Sequence, residues 1–189
     1  MDENNISELV PAVDVTDDRE ARSKFWIAIY TRPRSEKKVA TGLSKLGIEL
    51  YVPIQKQLKT WSDRKKFVDV PVIPMILFAN ISDDEIIKIK QQSLILKIIS
   101  YPGRKEPAHI PKEQIDNLKY MLDQSEIKVS FEHGQFETNE IVKIIRGKLK
   151  GLIGQVREVK NDMTEIWMSI DLLGGAVIKI KTSELERLK

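Results

Sequence analysis

The chain contains no cysteine and only two histidines. The first absence excludes a disulfide framework, a thiolate metal site and a cysteine nucleophile. The second leaves His109, just before Pro111, and His133, in a polar stretch, neither at metal-ligand spacing nor beside an obvious nucleophile. A P-loop and a dinucleotide fingerprint are missing as well, so neither an enzyme nor a cofactor or metal is expected. No apolar run reaches the roughly 20 residues that cross a bilayer, and the N-terminus is acidic where a signal peptide would be basic. Together these absences predict a soluble cytoplasmic protein with no membrane attachment, one that binds partners.

Charge is what the sequence has in quantity, 31 Lys and Arg against 28 acids, and it is unevenly spread. Met1 to Glu20 holds seven acids against Arg19, a net −6, and with +3 overall this leaves +9 for the remainder. Clustered Lys and Arg attract phosphate and release its counterions, so a basic body suits nucleic acid or an acidic partner. On charge alone, a solvated lysine-rich surface is the plainer explanation.

A length of 189 residues fits one ordinary domain or two small ones. Residues 1–23 are polar and acidic and predict a disordered tail. From Phe25 to Tyr30 (FWIAIY) the chain is apolar on both faces, the pattern of a strand covered on both sides. Ser35 then opens a helix with Val39, Leu43 and Leu46 on one stripe and Gly47 at its end. Glu49 to Lys59 is extended and Phe67 to Val70 returns, which makes a long hairpin tipped by Arg64, Lys65 and Lys66. Ile76 to Ile81 is a further strand, and Ser82-Asp83-Asp84-Glu85 has the form of a capping box opening a helix to about Gln92. Leu94 to Ile99 is a short strand, and Pro111 starts a helix carrying Ile115, Leu118 and Leu122.

Strands joined by hairpins, with helices packed on the sheet, predict an α+β domain over residues 24–123. Residues 124–134 are mostly polar and read as a linker. Over 135–189 the character changes: Ile141 to Ile145, Gly154 to Val159, Glu165 to Ile170 and Ala176 to Lys181 are short β-prone runs separated by glycine or by Asn161-Asp162. That spacing predicts a small barrel or curled sheet.

The segment Ile141 to Val156 (IVKIIRGKLKGLIGQV) resembles a KOW motif, a strand that runs into a glycine-rich turn and a second strand. Gly147 suits the tight turn, Gly151 a close approach of backbone to backbone, and Gly154 a strand start where a side chain would crowd the bend. The Gly-Asp frequent before such a strand is Asn139-Glu140 here. Upstream, Trp26 to about Leu122 resembles the NusG N-terminal domain. Trp26 with Arg32 to Lys38 (RPRSEKK), Trp61 to Lys65 (WSDRK), Val70 to Pro74 (VPVIP) and Met75 to Phe78 (MILF) look like specialised paralogs of the UpxY type, with RfaH more distant. The Pro-Gly-Tyr usual in that pattern is Pro74-Met75-Ile76, and the Pro-Gly common before the last strand is missing around Ser93 and Leu94.

The resemblance implies a NusG N-terminal α/β sandwich with an antiparallel sheet, followed by a KOW β barrel. It implies a monomeric bacterial elongation regulator that binds RNA polymerase and suppresses pausing or termination. By position, Trp26, Ile73, Pro74, Ile76 and Phe78 would meet the clamp helices of the β′ subunit, although each also suits an ordinary core. Arg32, Arg34 and Lys38 would meet the non-template DNA strand, with Arg64 and Lys65 as a second basic cluster. Leu173 would contact a partner of the barrel such as ribosomal protein S10 or termination factor Rho, or else fill the barrel core. A KOW-type RNA-binding or ribosome-associated protein is the alternative, and for it the basic body suffices.

Overall fold

A computed structural model describes residues 24–133 and 140–188. The expected acidic tail, residues 1–23, lies outside the described residues, as does Asn139 of the Asn139-Glu140 pair. Strand β1 (Phe25–Thr31) buries both faces, with Ile27 and Ile29 on one side and Trp26 and Ala28 on the other. Helix α1 (Glu36–Ser44) buries Val39 and Leu43. It stops at Ser44, with Gly47 at φ 80°, so Leu46, expected on the apolar stripe, falls beyond the helix and is exposed.

The extended run after Gly47 is two strands, β2 (Glu49–Tyr51) and β3 (Ile54–Thr60). Pro53 between them has no N–H to continue a ladder, and its carbonyl instead accepts from Val72 N–H at 2.8 Å. β3 pairs with β4 (Lys65–Pro71), and the two form a separate ribbon. β5 (Ile76–Ile81) follows, then α2 (Glu85–Lys90). Its start keeps half of the capping box, because Glu85 Oε2 accepts from the Ser82 N–H at 3.1 Å and the Ser82 hydroxyl at 3.3 Å. β6 (Ile95–Ile98) and α3 (Lys112–Gln124), with Pro111 at its N-cap, complete the first unit.

The first sheet is antiparallel in the order β2-β5-β1-β6. Val39, Leu43 and Ile89 of α1 and α2 cover its Ile27, Ile29 and Leu77 face. Ile115, Leu118 and Met121 of α3 join the core on its Trp26, Ala28 and Phe78 face. Each such buried aliphatic side chain contributes about 1.5–3 kcal/mol relative to exposure, so the helices on the two faces are what hold the sheet.

The second unit contains β7 (Ser130–Glu132), β8 (Ile141–Ile144), β9 (Ile153–Lys160), β10 (Met163–Ile170), β11 (Gly174–Lys181) and β12 (Leu185–Leu188). They form one antiparallel sheet in the order β12-β8-β9-β10-β11-β7, curled in the manner of a KOW barrel around Val142, Ile144, Ile166, Met168 and Ile178. β7 lies in the stretch that reads as a linker, and β12 follows the last expected strand. Just before β7, Val129 N–H donates to Gln55 Oε1 at 3.1 Å, while Gln55 Nε2 donates to Ile127 carbonyl at 2.8 Å. The polar segment is therefore stitched to β3 before it joins β11. No helix among the described residues is long and apolar enough to cross a membrane.

Candidate functional site

The turn between β1 and α1 and the entry to β5 are locked together. Met75 N–H donates to the buried Glu36 carboxylate at 2.7 Å, and Met75 carbonyl accepts from Thr31 N–H at 2.8 Å and Thr31 Oγ1 at 3.3 Å. Met75 sits at φ 64° and Arg34 at φ 59°. This left-handed conformation costs a residue with a Cβ roughly 1–2 kcal/mol, and the hydrogen bonds on both sides of Met75 hold it there. Where the family pattern has glycine, this chain keeps the glycine conformation with a methionine. Arg32, Pro33, Arg34 and Pro74 are exposed around this lock.

Of the five apolar residues expected at a polymerase contact, Pro74 alone is exposed. Trp26, Ile73, Ile76 and Phe78 are at most 3% exposed, within the core that includes α3. Phe78 stacks on Tyr51, with centroids 6.2 Å apart. Lys119 of α3 reaches over the Trp26 ring at 4.6 Å and the Tyr51 ring at 5.4 Å. Burial, reinforced by the Asp123 carboxylate, pushes the Tyr51 phenol far up, so it stays protonated. The four are core side chains on the α3 side of the sheet, with Ile73 and Ile76 close to Pro74 in the chain and Trp26 opposite Asn80 towards the far end of β5.

Arg32, Arg34 and Lys38 are exposed on and before the first turn of α1. Arg64 and Lys65 lie at the hairpin tip, where Trp61 N–H donates to Arg64 carbonyl at 2.8 Å and Arg64 Nε lies 3.8 Å from Asp63. The two basic groups are separated in sequence, but Lys37 of α1 donates to Asp69 of β4 at 2.7 Å and ties the helix start to the hairpin. That hydrogen bond and the lysine charge hold the Asp69 carboxyl below its usual range.

In the second unit, Gly151 has φ 102° and open space where a Cβ would stand. Its need is conformational, whereas the sequence suggested a close backbone approach. Gly154 is the crowded one, because a Cβ there would lie 2.3 Å from Ile166 Cγ2 and 2.9 Å from Trp167 carbonyl oxygen. Gly147 begins the turn whose carbonyls at Lys148 and Lys150 accept from Tyr120 of α3. Leu173 is 8% exposed and belongs to the core, while its neighbour Leu172, at φ 64°, is 37% exposed. Gln114 of α3 clasps this turn twice, through Nε2 to Asp171 Oδ1 at 2.8 Å and Oε1 from Asp171 N–H at 2.9 Å.

Residues 24–119, slightly more than half of the chain, match the family described as transcription termination factor NusG. The chain belongs to the NusG family. Members of the NusG family are non-enzymatic transcription factors that bind RNA polymerase and regulate elongation. Among solved structures, Thermotoga maritima NusG, from a study of its domain interaction, aligns at TM-score 0.53 and 19% identity, covering 88% of this chain and 98% of that one. A MjSpt4:Spt5 complex aligns at TM-score 0.27 and 15% identity, covering 87% of this chain and 98% of that one. Comparison with curated proteins gives no match. The NusG alignment extends through both sheets, so the fold likeness includes the six-stranded unit beyond the matched segment.

Two features of the site escape sequence reading. The Glu36 contact to Met75 carries no local signal, since an acid in the first turn of a helix is favoured by the helix dipole anyway. The Gln114–Asp171 clasp joins side chains 57 positions apart, and no spacing rule links them.

Proposed function

We propose that this NusG-family protein is a bacterial transcription elongation regulator that binds RNA polymerase and suppresses pausing or termination, as an antiterminator of a specific long operon. The observation that carries the reading is the locked Thr31–Glu36–Met75 unit, which displays Arg32, Arg34 and Pro74 on one rigid surface within the NusG-matched segment. Pro74 meets the β′ clamp helices, with Ile73 and Ile76 beside it and Phe78 and Trp26 further along the same face of the sheet. Arg32, Arg34 and Lys38 engage the exposed non-template strand, where guanidinium groups pair with phosphates, and Arg64 and Lys65 extend that contact. The barrel, built on Gly147, Gly151 and Gly154, recruits a second protein such as ribosomal protein S10 or Rho through the Leu172-Leu173 turn. The protein acts as a monomer in the cytoplasm.

A reconstituted elongation assay with bacterial RNA polymerase tests the claim. Added protein is expected to shorten pauses and increase read-through at terminators, and an unchanged transcript pattern would defeat it. With Arg32→Ala and Arg34→Ala together, crosslinking to the non-template strand is expected to fall while polymerase association persists.

A further inference from the structure

The β3–β4 ribbon is the part of the first unit that the core does not explain. Leu58 and Phe67 face each other across it, 53% and 67% exposed, and Trp61 at the turn is 45% exposed. A cross-strand apolar pair stabilises a hairpin, but Phe67 at this exposure buries little surface in doing so. The charges are harder still to explain as scaffold. Lys59 stands directly opposite Lys66, an arrangement that repels, and Lys59, Lys65 and Lys66 make no ion pair among the described residues. Both acids of the ribbon are engaged, Asp63 beside Arg64 and Asp69 by Lys37.

The register sorts these residues by face. Lys56, Leu58 and Thr60 share one face with Asp69, Phe67 and Lys65, while Gln57 and Lys59 share the other with Val68 and Lys66. Each face of the outer ribbon therefore carries lysine, and the first also presents a largely exposed ring. The Lys37–Asp69 pair ties the first face to the start of α1. An exposed ring among unpaired lysines fits a polyanion with flat apolar faces, and unpaired nucleic-acid bases provide both features. Duplex bases are stacked on one another and cannot offer theirs.

We propose that the ribbon binds single-stranded nucleic acid by stacking a base on Phe67 over Leu58, with Trp61 as a second platform and Lys56 and Lys65, on the same face, neutralising the phosphates. This rests on the reading that the hairpin faces an exposed nucleic-acid strand and adds the side chain that stacks on its bases and a binding strength that persists in the free protein. Polymerase is not needed.

The test is fluorescence anisotropy of the full chain with a labelled oligothymidylate and with a duplex of equal length, across a salt series. Phe67→Ala is expected to weaken binding of the single strand roughly 5- to 150-fold, the range for one base on one aromatic ring, with the slope of affinity against salt unchanged. Phe67→Trp is expected to retain binding and Phe67→Leu to lose it, since leucine keeps apolar area but cannot stack. Lys56→Ala with Lys65→Ala is expected to reduce the salt slope for the single strand by about 1.4. Tight binding by Phe67→Leu, or equal losses for single strand and duplex, overturns the stacking. No binding to either nucleic acid at low salt overturns the nucleic-acid reading of the hairpin as well, while the elongation assay judges the polymerase claim separately. Because Phe67 is largely exposed, the variants are expected to melt as the native chain does.

Discussion

The hairpins β10–β11 and β3–β4 are of nearly equal size and are used in opposite ways. β10–β11 is paired along its whole length from Met163↔Lys181 to Ile170↔Gly174, and its side chains are largely buried. β3–β4 is paired as completely, from Ile54↔Pro71 to Thr60↔Lys65, yet most of it is exposed. Full backbone pairing therefore says nothing about burial. The barrel hairpin places Ile166, Met168 and Ile178 in its core and backs Trp167 onto Gly175. The outer ribbon has charge in the corresponding places and depends on its base, where Gln55 and the Lys37–Asp69 pair attach it to the rest.

The contrast is most easily broken in the barrel. Ile166→Ala removes a fully buried side chain and is expected to cost about 3 kcal/mol, read as a lower urea midpoint, whereas a comparable truncation in the ribbon, Phe67→Ala, is expected to stay within about 0.5 kcal/mol. An intermediate effect belongs to the clasp on the β10–β11 turn. Gln114→Ala removes two hydrogen bonds to Asp171, an expected loss of about 1–2 kcal/mol, and is expected to speed amide exchange at Leu172 and Leu173 ahead of the first sheet. Equal speeding in both sheets would mean that the clasp does not hold the turn locally.

Met75→Gly is expected to stabilise by up to about 1 kcal/mol, since relief of the left-handed conformation outweighs the extra conformational entropy that glycine loses on folding; thermal melting reads the sign. The smallest effect concerns the base of the ribbon. The Asp69 carboxyl is held below its ordinary 3.8 by Lys37. Its contribution is therefore complete above that value and lost as pH falls through the lower, folded-state one. Acidification is expected to loosen the ribbon from α1, seen by NMR as Asp69 titrating below 3.8. Titration at the ordinary value would show the pair to be absent in solution.

The helices were legible because their apolar positions repeat at helical spacing, and Val39, Leu43, Ile115, Leu118 and Leu122 are all buried as that spacing requires. The four central barrel strands were legible from β-prone runs between turns. β7 and β12 were not, because three- and four-residue strands dominated by polar side chains look like loop until a partner edge is present. The break at Pro53 was visible as a residue but not as a parting of two sheets, which is a long-range choice. For the candidate site, the exposed basic residues could be read directly, since charge is rarely buried. Trp26, Ile73, Ile76 and Phe78 could not be assigned to core or surface, because a docking face and a core ask for the same side chains. Leu58 and Phe67 became conspicuous only when the register set them opposite each other.

The strand β7 has a bearing on how far the barrel can stand from the first unit. It is hydrogen-bonded to β11 and so travels with the barrel, which moves the effective leash upstream of the glycine-bearing stretch near His133. Between the end of α3 at Gln124 and the start of β7 at Ser130 only residues 125–129 remain. Even pulled taut, five residues span about 17 Å. Were the Gln55, Gln114 and Tyr120 contacts and the apolar packing on α3 all to let go, the barrel would still stay close to the surface it left.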